Sequence, residues 1–174
     1  MRDILDRYYT KPDLARQLVS MLDLGYGITA LEPSVGGAAF STALYNLNHR
    51  VYACDIDHKA IGLYDNWLAG RFVCSFLDLD CNDVDWIIGN PPYNDAENHC
   101  KHAIKNARIG VAFLLRLGFM ASVQRSEFWR QNPPTRVIVL SKRPSFTGDG
   151  KTDGSEYAFF VWEKNKLRMP VEWI

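Results

Sequence analysis

The chain has 174 residues, 47 % apolar and 23 % charged, a composition that suits one packed domain and argues against intrinsic disorder. Its 20 Lys and Arg balance 20 Asp and Glu, so the basic surplus of a dedicated nucleic-acid coat protein is missing, while a local basic rim on an enzyme stays compatible. Cys54, Cys74, Cys81 and Cys100 form no CxxC pair or zinc-type cluster, no leading charged-then-apolar signal is present, and no apolar run nears the ~20 residues of a membrane span. The expectation is a cytoplasmic protein with reduced thiols, no metal and no membrane partner.

Along the chain, Thr10-Lys11-Pro12-Asp13 followed by Leu14, Leu18, Val19 and Leu22 predicts a capped amphipathic helix. "ITALEP" (28–33) predicts a strand and "AAFSTALYNL" (38–47) a helix. "RVYACDID" (50–57) predicts the second strand and "HKAIGLYDNWL" (58–68) its following helix. "RFVCSF" (71–76) and "DWIIGN" (85–90) read as the third and fourth strands. Ala96, Cys100, Ala103, Ile104 and Ala107 recur at helical spacing, and "IGVAFLLRL" (109–117) has the continuous apolar character of a buried strand. A helix over 122–131 ends at Pro133-Pro134, and "RVIVLSKR" (136–143) with "YAFFVWEK" (157–164) predicts an antiparallel pair. Strands alternating with helices predict a doubly wound α/β domain, whose ligand sits beyond the carboxyl ends of the strands.

The residues at those ends carry the chemistry. Gly36-Gly37 can turn backbone N–H groups toward a ligand, with Glu32 as an acceptor, although an ordinary strand-to-helix turn has the same composition. Asp55 suits a ribose diol or a helix cap; Phe76 suits an adenine ring or the core. After the fourth strand, "NPPY" fixes φ at Pro91 and Pro92 and holds Asn90 and the Pro91 carbonyl rigidly. Two acceptors side by side fit a planar amino group, and Tyr93 adds a flat face worth ~1–3 kcal/mol per stacked base. "GDGKT" (148–152) lacks the glycine of a phosphate-binding P-loop at Ser145 and reads as a hairpin loop, where Lys142, Arg143 and Lys151 can meet phosphates.

Taken together, "YYTKPDLA", "EPSVGGAAF", "VYACDID" and "NPPY", in that order over nearly the whole chain, resemble the S-adenosylmethionine-dependent amino-methyltransferases, in particular the bacterial and phage adenine-N6 DNA methyltransferases of restriction–modification type. The resemblance implies a single Rossmann-like class I catalytic domain over residues 1–174, with a seven-stranded, mostly parallel sheet in the order 3-2-1-4-5-7-6 and one antiparallel strand. It implies S-adenosylmethionine as cofactor, held by Tyr9, Thr10, Lys11, Glu32, Pro33, Gly36, Asp55, Ile56 and Phe76. It implies catalysis by Asn90, Pro91, Pro92 and Tyr93 on a flipped-out DNA adenine, with Tyr93 and Phe146 against the base and Lys142 and Arg143 near phosphates. RNA and protein-glutamine methyltransferases share "NPPY", so those acceptors remain open, as does a cofactor-binding subunit without turnover. Ala38 stands where the family has a second glycine, and Ser75 where it has an aspartate for the cofactor's adenine. The length leaves no room for a separate recognition domain, so specificity is expected from loops, a partner subunit or a dimer mate.

Overall fold

A strand with a near-continuous apolar run can be stable only if both of its faces are covered. β4 (Trp86–Gly89), β5 (Gly110–Arg116) and β7 (Tyr157–Glu163) are such strands, charged only at their last residues Arg116 and Glu163, and lie at the centre of the sheet. The computed structural model describes residues 8–62, 67–146, 152–167 and 172–173. Its sheet also contains β1 (Thr29–Pro33), β2 (Arg50–Asp55), β3 (Gly70–Val73) and β6 (Arg136–Val139). The order is β3-β2-β1-β4-β5-β7-β6, as expected, with β7 antiparallel to both β5 and β6 and the other pairs parallel. An eighth, two-residue strand, β8 (Glu172–Trp173), pairs parallel with β6 and extends that edge.

Successive side chains of a strand point to opposite faces. Ala30, Trp86, Ile88, Ala112, Leu114, Phe159 and Val161 pack with Leu18, Val19, Phe40 and Leu44 of α1 (Pro12–Ser20) and α2 (Ala39–Tyr45). Leu31, Ile87, Val111, Phe113 and Phe160 pack on the other face with Cys100, Ala103 and Phe128. The last three belong to α4 (Ala96–Asn106) and α5 (Ser126–Gln131), while α3 (His58–Gly62) adds Ala60 and Ile61 beside the Val35–Ala38 turn.

Several boundaries depart from the sequence reading. α1 starts at Pro12 without a side-chain cap: proline at the first position has no N–H to satisfy, and Thr10 is used elsewhere. β3 stops at Val73 because the Ser75 hydroxyl accepts from Leu77 N at 3.2 Å and turns the chain into a 3-10 turn over Phe76–Asp78. The helix expected over 122–131 is a 3-10 turn (Val123–Arg125) followed by α5, with Arg125 at φ −101 and ψ 5 between them. The third helix is followed to Gly62, and the rest of its predicted span includes residues 63–66, outside the described residues. β1, β2, β4 and β5 all run the same way, so Pro33, Asp55, Gly89 and Arg116 end at one rim. That rim is where a ligand of an open α/β sheet is expected.

Candidate active site

Asn90 follows β4 directly, and its amide orientation is fixed by its partners. Nδ2 donates to the Tyr8 carbonyl at 2.8 Å and to Thr10 Oγ at 3.2 Å. A carbonyl can only accept, so the nitrogen faces Tyr8 and the oxygen faces the opposite way. Asn90 Oδ1 is buried and has no hydrogen-bond partner. A buried acceptor left bare costs on the order of 1–3 kcal/mol, which makes it a candidate contact for a donor from a ligand. Pro91 is buried behind it, and the Pro92 carbonyl accepts from Asp95 N at 3.2 Å, bracing the loop against the start of α4.

Two adjoining clefts run along the rim and share Ser34, Asp55, Ile56 and Pro92. The first also takes in Tyr9, Gly36 and Asn90; the second takes in Ser75, Phe76, Asp95 and His99. Gly36 has φ +46, and a Cβ there would lie 2.8 Å from the Tyr9 ring, so Tyr9 closes directly over the bare turn. Ser34 (φ 57) and Ala38 (φ 52) are also left-handed, a conformation costing roughly 1 kcal/mol or more for a residue with a Cβ. A glycine at 38 would relax that backbone, but the Ala38 methyl is buried against Val35, Ala53, Ala60 and Ile61. Asp55 ties the two strand ends together: Oδ2 accepts from Gly36 N at 3.0 Å and Oδ1 from Asp57 N at 2.9 Å. Each oxygen keeps a further lone pair for a hydroxyl. Ile56 is 60 % exposed beside it, an apolar face available to a flat ring.

The other residues named from sequence are spread wider: Phe76 lines the second cleft, while Glu32, Pro33, Lys11, Lys142 and Arg143 line neither. Glu32 is buried below the glycine turn and accepts from Ser41 N at 2.7 Å, so its carboxyl group closes the start of α2. Burial pushes its pKa up to about 8, with the hydrogen bond from Ser41 N opposing the shift. Pro33 ends β1, and its carbonyl would lie 3.3 Å from a Cβ at Gly89, so β4 passes closely there. Lys11 is exposed at the start of α1, away from the cleft linings. Phe76 is buried, packed at 5.5 Å from the His99 ring and 4.8 Å from His102. Lys142 and Arg143 are exposed beyond β6, and Arg143 is paired with Glu156. Lys151 lies outside the described residues.

Tyr93 and Phe146 are brought together through a third ring. The Tyr8 ring lies between them, 5.0 Å from Tyr93 and 5.5 Å from Phe146, and Tyr157 completes the group at 5.6 and 5.2 Å. The Tyr93 hydroxyl is buried with no partner at hydrogen-bond geometry, and burial raises its pKa well above the phenol value, followed by the nearby Tyr157. It is therefore a neutral ring, not a proton acceptor. Over it lies Arg116, 4.8 Å from the ring centre, a residue the sequence reading did not single out. Its signal was its position, since it too ends a parallel strand.

No protein-family model matches the chain, and no curated protein matches it by sequence. Solved structures do. A Listeria monocytogenes protein, provisionally assigned as a class I S-adenosylmethionine-dependent methyltransferase, superposes with a TM-score of 0.69 at 14 % identity, over 93 % of this chain and 62 % of that one. A Vibrio vulnificus protein, provisionally assigned as the modification subunit of a type I restriction enzyme, gives 0.72 at 13 % identity, over 92 % of this chain and 45 % of that one. A Pyrococcus horikoshii protein, provisionally assigned as an RNA methyltransferase, gives 0.71 at 17 % identity, over 94 % and 88 %. The chain thus spans less than two thirds of the first two structures and most of the third. Its strand order, its one antiparallel strand and these superpositions give it the Rossmann-like fold of class I methyltransferases.

Proposed function

We propose that the protein is an S-adenosylmethionine-dependent methyltransferase acting on the 6-amino group of adenine in DNA. The observation that carries this reading is Asn90 Oδ1, a buried acceptor with no partner, whose aim is fixed by two hydrogen bonds from the same amide. The cleft residues fit the cofactor. Gly36 lets the Tyr9 ring close over the turn at the cleft wall, Asp55 retains lone pairs for a ribose, and Ile56 offers an apolar face to an adenine. Ser75 Oγ and Asp95 Oδ1 each already accept a hydrogen bond, from Leu77 N and Asn98 Nδ2, but the half-buried Asp95 carboxylate in the second cleft keeps further lone pairs for that adenine's amino group.

When bound, the cofactor supplies a methyl group on a sulfonium: as the N–C bond forms the C–S bond breaks, and its electron pair leaves with sulfur. The chain's part is positioning and charge placement. Asn90 Oδ1 and the Pro91 carbonyl accept the two amino protons, which draws the nitrogen lone pair out of the ring toward the methyl carbon. The ring lies among Tyr93 and Phe146, which requires a base out of the duplex stack. The proton released from nitrogen passes to water, since Tyr93 stays protonated.

Transfer of labelled methyl to unmethylated DNA tests the reading. Asn90→Ala is expected to lower kcat by about 10²–10³-fold, the scale of one lost oriented polar contact in a transition state, while leaving cofactor affinity within a few-fold. Wild-type protein that binds cofactor yet labels RNA or protein instead would relocate the acceptor. The chain spans less than two thirds of two of the superposed structures, and assays should include partner proteins from the same source.

A further inference from the structure

The acids around the cavity beside Tyr93 are already engaged. Glu97 holds Lys101 at 2.7 Å and reaches Arg125 at 3.8 Å, and Glu156 holds Arg143. Arg116 at the end of β5 makes no ion pair among the described residues. Its Nε donates to the Tyr157 hydroxyl at 3.3 Å and one Nη to the Tyr8 hydroxyl at 3.1 Å. Both partners are neutral phenols, and although Asp153 acts on the Tyr157 hydroxyl, no carboxylate among the described residues pairs with the guanidinium itself, which leaves most of its N–H donors unused. A planar guanidinium in that condition fits an oxyanion, whose charge-assisted hydrogen bonds are roughly twice as strong as those to a phenol. The cavity it faces has a volume of about 360 Å³, is lined by Arg125, Ser155 and the Arg143-paired Glu156 as well, and shares no lining residue with the two clefts along the rim.

We propose that this cavity binds a phosphodiester group of the strand that carries the acceptor base, with Arg116 as its principal anion ligand and Arg125 beside it. The inference rests on the methyltransferase reading for its location and deepens it by naming the residues that hold the backbone of the acceptor strand. A glutamine side chain would bring no anion to Arg116. The same guanidinium lies over Tyr93 at 4.8 Å, so a phosphate held there sits within reach of a base packed on that ring. The phosphate oxygen takes the place of the Tyr8 hydroxyl.

The test is binding, not turnover. Labelled single-stranded DNA with one adenine is titrated against wild type, Arg116→Met and Arg116→Lys over a range of salt, with S-adenosylhomocysteine saturating. Loss of one phosphate contact is expected to reduce the slope of log K against log salt by about 0.7 in Arg116→Met, with Arg116→Lys keeping the wild-type slope. Deoxyadenosine monophosphate should compete better than deoxyadenosine against wild type and lose that advantage in Arg116→Met. Unchanged S-adenosylhomocysteine affinity and melting temperature establish that the variants are folded. Equal slopes and equal competitor ratios in wild type and Arg116→Met overturn the phosphate site. Absence of methyl transfer to a strand that binds with the expected slope would overturn the catalytic reading alone.

Discussion

Glu32 is a carboxyl enclosed beneath the turn that the cofactor must approach, and that enclosure has a measurable pH signature. The folded group loses its proton near pH 8 and the unfolded one near 4.5, so the native state holds the proton across that interval. A raised folded pKa gives stability that is full below about pH 4.5 and is lost as the pH climbs toward 8. The span amounts to about 5 kcal/mol. Wild-type urea midpoints should fall between pH 5 and pH 8, and Glu32→Gln should flatten that fall while keeping an acceptor for Ser41 N. Parallel curves for the two proteins would show that Glu32 ionises at its ordinary pH. The same residue shows what a sequence leaves hidden: an acid after β1 suggests a ligand contact, but only the fold reveals that Ser41 occupies it.

Among the elements, the central strands were legible because their composition leaves one solution: continuous apolar runs demand cover on both faces. The contact of β5 with its neighbours is close. A Cβ at Gly110 would meet the Trp86 ring at 2.7 Å and the Trp162 carbonyl at 3.0 Å, and the second is backbone that cannot swing aside. Gly110→Ala should therefore cost roughly 1–3 kcal/mol by overpacking, read as a lower urea midpoint at unchanged slope. A midpoint equal to wild type would mean the β5–β7 pairing yields more than these distances allow. The elements that were misjudged depend on single contacts instead of patterns. β3 is cut short by one serine hydroxyl, and the helix before β6 is interrupted at Arg125, whose guanidinium lies 4.7 Å from Phe119 and 3.8 Å from Glu97. Two residues of β8 are too few to carry any periodic signal.

At the scale of the molecule, much of the candidate site was legible because one rule governs it: the residues just past each parallel strand arrive at the same rim. Asn90, Asp55 and Gly36 meet there although they lie far apart in the chain. Tyr8 was not legible, because it reaches the site from outside the strand pattern and across a long sequence separation. Its carbonyl orients Asn90, and its ring stands between Tyr93 and Phe146, the space that the proposed function gives to the acceptor base. The chain on this reading carries a competitor for its own substrate. Acceptor affinity is then set by a contest between two occupants, and a slot filled nine-tenths of the time by Tyr8 weakens the apparent affinity about tenfold. Tyr8→Ala, which keeps the carbonyl and removes the ring, should lower KM for the oligonucleotide several-fold without raising kcat. A KM that rises instead would mean that the ring is part of the pocket wall.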